Sequence, residues 1–263
     1  MKTKLTLTAG ARKVWFATLI MLISLNLITA TVSAQVKGVK NIVIVHGAFA
    51  DGSGWKGVFN ILSKKGYTVT VVQNPLSGLK NDVDATLRIL DKQDGPTILV
   101  GHSWGGTVIT EAGMHKNVVA LVYVAAYQPG KGENTLKWAG SLPNAPEFGI
   151  LPPDEKGYVY YGKDKFHAGF CADLSKEEAD FLFASQGPIL GESFATPVAE
   201  AAWTTKPTYG IVATMDKSIN PDVERNMYKR SNTKITEVKG SHVIFASQPE
   251  AVSKVIIAAA ENK

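Results

Sequence analysis

Short apolar runs rich in β-branched residues alternate with amphipathic stretches along most of the chain. The length and composition of the apolar runs predict buried strands. These six runs cover residues 41–45, 67–72, 97–100, 118–124, 209–213 and 234–238. Helical periodicity predicts helices over about 55–65, 81–92, 104–116, 221–230 and 248–261. Strands that are apolar throughout and alternate with helices are typical of a mostly parallel sheet with helices on both faces. We therefore predict an α/β fold that binds ligands at the carboxyl ends of its strands.

Two of the predicted helices carry a capping box at their start. Ser175 is followed three positions later by Glu178, and Ser247 by Glu250. In such a pair the serine and the acidic side chain each satisfy a backbone N–H that the helix leaves unpaired. We therefore expect one helix to begin after Ser175 and another to begin after Ser247.

The alternation breaks between residues 127 and 205. This stretch holds seven prolines, many glycines and several aromatic residues, and contains no convincing buried strand. Long insertions inside compact domains are usually functional. We predict a largely helical lid over the strand ends, with an ordinary surface excursion as the alternative.

The first 34 residues have the composition of a secretory signal peptide. Four basic residues and no acidic one precede an apolar run over 14–30, and small residues lead to Ala34. We predict cleavage after Ala34, a mature domain over 35–263, and a secreted or periplasmic protein. An uncleaved membrane anchor is the alternative, because a run of this length is at the short limit for spanning a bilayer.

The net charge is close to zero once the first 34 residues are left out. The whole chain carries a formal charge of +5, but without the first 34 residues 24 basic residues face 23 acidic ones. The basic balance thus gives no support to nucleic-acid binding. A single cysteine, Cys171, excludes an intramolecular disulfide and any cysteine-rich metal site.

The clearest chemical motif is Gly-His-Ser-Trp-Gly over 101–105. It matches G-x-S-x-G, directly follows a predicted strand and directly precedes a predicted helix, which is the setting of a nucleophile elbow. So tight a turn requires small neighbours and exposes the serine hydroxyl at the sheet edge. We predict Ser103 as the nucleophile.

A serine hydroxyl needs a base to accept its proton. Only His242 lies in a loop after the last strand and before the last helix, so we predict it as the general base. Of the other four histidines, His46 and His102 lie in tight turns, His115 lies on a helix and His167 lies in the predicted lid.

The acid of such a triad should follow the preceding strand. Asp216 lies just past the strand 209–213, and we predict that it orients the ring of His242. Asp222 and Glu224 fall in the first turn of the next helix, where the helix dipole favours acids, and this role suits them better.

Two backbone N–H groups should stabilise the oxyanion formed during acyl transfer. One belongs to Trp104, which follows the nucleophile. The other should come from the loop after the first strand, and we choose Ala48, with Phe49 as the fallback.

These motifs together resemble those of the α/β-hydrolase superfamily over nearly the whole mature length. More narrowly, they resemble the small-lid branch that contains plant methylesterases, hydroxynitrile lyases and bacterial esterases. The matching segments are Val45–Phe49 with Trp55, Gly101–Gly106, Ala213–Pro221, Lys239–Phe245 and Gln248–Glu250. The resemblance implies Ser103, Asp216 and His242 as the triad, with Ala48 and Trp104 as oxyanion donors.

The leading hypothesis is a serine esterase that cleaves small to medium carboxylic esters without a metal or organic cofactor. We predict an apolar pocket lined by Phe49, Trp138, Phe170 and Val243. The expected partner is a small-molecule ester, with no nucleic acid and no stable membrane association after cleavage.

Three alternatives keep this fold. One is a cofactor-free perhydrolase of the non-haem haloperoxidase kind, and another is a ligand sensor. The last is a hydroxynitrile lyase, which is disfavoured because related lyases carry a lysine where Val243 stands and a threonine where Gly47 stands.

Overall fold

The computed structural model describes residues 38–262. The predicted signal peptide over 1–34 and its cleavage after Ala34 lie outside these residues and stay predictions. Within 38–262, no helix combines the length and the hydropathy needed to cross a bilayer.

A six-stranded parallel sheet forms the centre of this domain, as the hydrophobic pattern predicts. The eight strands of the described chain are β1 (Asn41–Val45), β2 (Thr68–Val72), β3 (Thr97–Ser103), β4 (Val118–Ala126), β5 (Tyr158–Val159), β6 (Ile189–Leu190), β7 (Thr208–Ala213) and β8 (Lys234–Val238). The strands of the six-stranded sheet run in the order β2-β1-β3-β4-β7-β8. In the interior strands every side chain except that of Val119 is buried, which explains why their sequences are apolar throughout.

Helices follow most of the strands of the sheet. The helices of residues 38–262 are α1 (Lys56–Lys64), α2 (Leu79–Leu90), α3 (Trp104–Ala112), α4 (Thr135–Ala139), α5 (Lys163–Lys165), α6 (Lys176–Ala184), α7 (Pro221–Arg230), α8 (Ile244–Ser247) and α9 (Pro249–Ala260). Helices α4 to α6 belong to the insertion between β4 and β7. Short 3-10 helices lie at Ser53–Trp55, Gly191–Ala195 and Ala202–Thr204, and a π-helical turn at Phe166–Phe170.

Strand β3 continues further than its apolar run indicates. Gly101, His102 and Ser103 keep pairing with β4, so the strand runs directly into α3. Helix α3 ends at Ala112, earlier than predicted, because Gly113 follows as its C-cap.

The capping boxes have different outcomes. Ser175 and Glu178 make both reciprocal contacts at the start of α6, as predicted. The prediction for Ser247 and Glu250 is wrong, because Ser247 ends α8 and α9 begins at Pro249, without a side-chain cap. A proline at the first helical position needs no N–H partner, so this start does not depend on a cap.

The chain between β4 and β7 forms the predicted insertion, which we call the lid (residues 127–207). It holds three helices, α4 to α6, together with the antiparallel pair β5 and β6. The sequence did not predict this pair, because two-residue strands are too short to show a period. Val159 and Ile189 pair across it and are buried.

Candidate active site

Ser103 lies on a strained turn at the carboxyl end of β3. Its φ of 52° is unusual for a residue with a side chain, and strain of this kind is common at functional sites. A Cβ on Gly101 would lie 2.5 Å from the Gly105 carbonyl oxygen, and one on Gly47 would lie 2.8 Å from the Ser103 Cβ. The close approach of these backbones is the reason that glycine surrounds the serine.

His242 and Asp216 are joined by a short hydrogen bond. The Nδ1 of His242 lies 2.6 Å from Oδ2 of Asp216, and both side chains are almost completely buried. The other oxygen of Asp216 accepts hydrogen bonds from the backbone N–H groups of Ser218 and Ile219, at 2.7 and 2.9 Å. These donors fix the carboxylate, and a fixed carboxylate can hold the imidazole in one tautomer and orientation.

Two further histidines, His46 and His102, lie in the glycine-rich turns next to this arrangement and hydrogen-bond to backbone groups around it. His102 is fully buried and its Nε2 lies 3.0 Å from the backbone oxygen of His242. The Nε2 of His46 accepts a hydrogen bond from the N–H of Asn74. Burial lowers the pKa of both rings, and the nearby His242 lowers that of His102 further. Both are therefore neutral scaffolding groups at physiological pH.

The predicted oxyanion donors occupy the ends of two neighbouring strands. Trp104 is the first residue of α3, where the backbone N–H groups have no partner within the helix. Ala48 lines the same cavity as Ser103. The backbone N–H of Phe49 donates to the carbonyl oxygen of Gly187 at 3.1 Å, so the fallback donor is already engaged.

The Trp104 side chain is anchored by a carboxylate that the sequence analysis did not single out. Its Nε1 donates to Oδ2 of Asp82 at 2.8 Å, and the N–H of Leu76 donates to Oδ1. Burial raises the pKa of Asp82 to about 6, although both hydrogen bonds oppose that shift.

A cavity of about 470 Å³ opens beside Ser103 and His242, which both line it. Its walls are largely apolar and come mainly from the lid, and within residues 38–262 no aspartate, glutamate, lysine or arginine lines it. Phe49 and Phe170 are among the lining residues, and the ring centroids of Phe170 and His242 lie 5.0 Å apart.

Two residues predicted for the pocket do not line this cavity. The Nε1 of Trp138 donates to Glu133. The Cζ of Arg230 lies over the Trp138 ring, 4.7 Å from the ring centroid. This ionic cluster holds the indole away from the cavity. Val243 is buried at the start of α8 and is not a lining residue.

Two further carboxyl groups contact the residues of this site. Asp173 in the lid accepts hydrogen bonds from the backbone N–H, at 2.8 Å, and the hydroxyl of Ser241, next to His242. Glu224 lies in the first turn of α7 as expected, but it is completely buried and interacts with Asp216. Helical spacing could have found Glu224, because the buried residues Met227 and Tyr228 follow three and four positions later.

In residues 38–262, no three or more histidine, cysteine, aspartate or glutamate side chains are grouped so that they could hold a metal ion. The cysteine Cys171 is free and buried, and burial raises its thiol pKa to about 12.

Comparison with known proteins shows the family to which the chain belongs. Residues 42–255 match the alpha/beta hydrolase family. The chain is 28% identical to salicylic acid-binding protein 2 of Nicotiana tabacum, over 80% of this chain and 93% of that protein. It is 26% identical to a pyrethroid hydrolase of Sphingobium wenxiniae, over 83% and 86% of the two chains.

The fold is also similar to that of polyneuridine aldehyde esterase. The TM-score is 0.69 at 18% identity, over 82% of this chain and 97% of the esterase. With the family match covering most of the chain, the protein belongs to the alpha/beta hydrolase family.

Proposed function

We propose that the protein is a serine esterase acting on small to medium, uncharged carboxylic esters. The observation that carries the proposal is the joint position of Ser103 and His242 on one apolar cavity, with His242 bonded to Asp216 at 2.6 Å. Its relatives include a protein named as a pyrethroid hydrolase, which supports hydrolytic chemistry.

In the proposed reaction the Ser103 hydroxyl attacks the ester carbonyl while His242 accepts its proton. The backbone N–H groups of Ala48 and Trp104 stabilise the oxyanion, and each such donor is typically worth about 2.7–4 kcal/mol. His242 then gives the proton to the leaving alcohol, and an acyl-enzyme remains on Ser103. Water, deprotonated by His242, releases the acid and restores the serine.

The cavity supports this class of substrate in size and polarity. Small-molecule sites commonly enclose about 300–1,000 Å³, and the volume of about 470 Å³ lies within that range. Because charged side chains are absent from the walls formed by residues 38–262, a charged substrate would lose hydration without a partner. Two leucines, Leu136 and Leu151, line the cavity and are also exposed, so they mark its mouth.

Hydrolysis of p-nitrophenyl esters, from acetate to palmitate, tests the proposal. We expect turnover by the wild type, none above background by Ser103→Ala, and a chain-length optimum that reports the depth of the cavity. A folded wild type no faster than Ser103→Ala on every ester would contradict the esterase proposal. Perhydrolase activity, assayed with acetate and peroxide, would then be the next reaction to measure.

We also propose that residues 1–34 direct export and are removed after Ala34, as the composition of that segment predicts. Expression of the full chain in a bacterium, followed by N-terminal sequencing, tests this. A mature protein beginning at Gln35 in the periplasm or the medium is the expected result. An intact N-terminus on protein found only in the cytosol would contradict it.

A further inference from the structure

Glu224 is a buried carboxyl group without a conventional partner. It is 0% exposed, and neither of its carboxyl oxygens accepts a hydrogen bond from any donor in residues 38–262. Burying an unpaired carboxylate is far more costly than burying a neutral carboxylic acid. The position alone therefore disfavours the charged form of Glu224.

Asp216, by contrast, is surrounded by donors. Two backbone N–H groups bond one of its oxygens, and Nδ1 of His242 bonds the other. Hydrogen bonds of this kind favour the ionised form of a carboxyl group. Of the two interacting carboxyls, the one with three donors holds the negative charge, and the one with none holds the proton.

The other groups that face Glu224 do not change this assignment. Burial and the Asp216 carboxylate raise the pKa of Glu224 well above its ordinary range, and Arg225 and the nearby backbone N–H of Ala213 oppose this only in part. The guanidinium of Arg225 is bonded to Asp222 and Glu237 on the surface. The remaining titratable neighbours are Tyr127 and Tyr228, both neutral because burial raises their pKa values.

We propose that Glu224 is a positioning residue that stays protonated and donates its proton to Asp216, so that the two carboxyls share one negative charge. The role rests on the proposed Ser103–His242–Asp216 triad, but the shared proton does not. Glu224 touches neither substrate nor reacting atoms, and it acts through Asp216. A neutral donor on Asp216 disperses part of its charge and helps to fix the carboxylate that orients His242.

Glu224 acts on the site only through the Asp216 carboxylate. In Asp216→Asn the backbone N–H groups of Ser218 and Ile219 hold the amide oxygen in the place of Oδ1, so the amide N–H faces Nδ1 of His242. The histidine then loses the tautomer that a general base needs. Because the carboxylate is missing in this variant, a change at Glu224 should have no further effect on turnover.

Infrared spectroscopy tests the protonation state without reference to activity. We expect a carboxylic acid C=O band at neutral pH that shifts on uniform ¹³C-glutamate labelling of the wild type and is missing from Glu224→Gln. The labelling arm needs no variant, so it remains decisive even if the substitution impairs folding. Absence of a protonated glutamate band would overturn the proposal.

A double-mutant cycle on kcat tests the role. Glu224→Gln keeps an N–H donor, so we expect kcat to fall by no more than about threefold in the wild-type background. Glu224→Leu removes the donor, so we expect kcat to fall by at least about tenfold in the wild-type background and to change no further in the Asp216→Asn background, because Glu224 acts only through the Asp216 carboxylate. Asp222→Asn, an exposed acid on the same helix, is the control and should cost the same small factor in both backgrounds.

Additive losses, with Glu224→Leu equally mild or equally severe in both backgrounds, would overturn the positioning role. The infrared result would stand separately. If neither background hydrolyses any ester while the protonated band is present, the esterase proposal fails and the shared proton survives.

Discussion

The Nε2 of His102 lies 3.0 Å from the backbone oxygen of His242. The residue before the proposed nucleophile therefore holds the main chain of the proposed base, across 140 positions of sequence. Because His102 is neutral, its Nε2 must carry a hydrogen to make this bond, and the ring couples the turn after β3 to the loop after β8.

His102→Phe should remove this bond and leave a buried carbonyl unpaired. We expect the free energy of unfolding to fall by about 1–3 kcal/mol and kcat to fall more than KM changes, because the histidine loop loses its anchor. Urea unfolding and ester kinetics measure the two effects. His167→Phe is the matched control: His167 also bonds a backbone oxygen, that of Leu174, but at an exposed position where water can replace it.

Trp104→Phe should have a pH-dependent cost. The folded-state pKa of Asp82, about 6, lies above its unfolded value, so its contribution to stability is complete below about pH 4 and is lost as pH rises through about 6. Removing the indole N–H leaves the ionised Oδ2 without a donor. We expect a loss of about 1–3 kcal/mol at pH 8 and a smaller one at pH 5.

Urea unfolding at both pH values checks the Trp104→Phe prediction. The control is Trp138→Phe, which removes an indole N–H from Glu133, a carboxylate that also accepts from Arg230 and Lys137. Its cost should be small at both pH values. An equal cost of Trp104→Phe at the two pH values would show that the bond to Asp82 does not carry the effect.

Asp173→Ala should loosen the loop that carries His242. The carboxylate accepts both the N–H and the hydroxyl of Ser241, and these bonds lower its pKa although burial opposes them. We expect kcat to fall by roughly 10- to 100-fold through misplacement of the ring. Ser241→Ala, which removes one bond of the two, should have an intermediate effect.

The carboxylate of Asp173 also predicts a loss of stability at acid pH. Because the folded-state pKa of Asp173 is depressed, its stabilisation is present above a carboxyl pKa of about 4 and is lost as pH falls through the lower folded value. Asp173→Ala should remove this acid-dependent part of the stability. Asp180→Ala in the same lid, where the carboxylate is exposed and its bond to Lys176 is open to solvent, should leave kcat unaltered and change the acid-dependent stability little, because exposed ion pairs contribute little to stability.

Gly101→Ala should disrupt the turn at Ser103. The added Cβ would lie 2.5 Å from the Gly105 carbonyl oxygen and 2.9 Å from the Ile109 side chain, so the backbone must move. We expect a loss of about 1–3 kcal/mol or more in the free energy of unfolding, together with loss of turnover. Gly95→Ala, whose Cβ would meet nothing within 4 Å, should be tolerated. Equal stability of the two variants would contradict this account of the turn.

The sequence predicted the parts of the molecule whose signals are local. Buried parallel strands are apolar throughout, so the six strands of the central sheet were found, and β1 and β8 within their observed bounds. The glycine-rich motif located the strained turn at Ser103 because close backbone contacts there admit only glycine. The roles of Ser103, Asp216 and His242 stay predictions until variants are measured.

What the sequence missed depends on contacts between distant segments. Asp173 and Ser241 are 68 positions apart, and no period or motif relates them. Trp138 was expected in the pocket because aromatic rings favour apolar walls, but Glu133 and Arg230 hold it elsewhere. Glu224 was judged by its place at a helix start, although its spacing to Met227 and Tyr228 placed it on the buried face.

The parallel arrangement of the sheet divides the molecule into two edges with different tolerance for change. Ala48, Ser103, Asp216 and His242 all lie at or just after the carboxyl ends of strands, whereas the opposite edge holds contacts such as the hydrogen bond from Asn41 to Asp94. We therefore expect substitutions at that opposite edge to change thermal stability without reshaping the cavity. Substitutions in the lid should instead change which small molecules the cavity accepts.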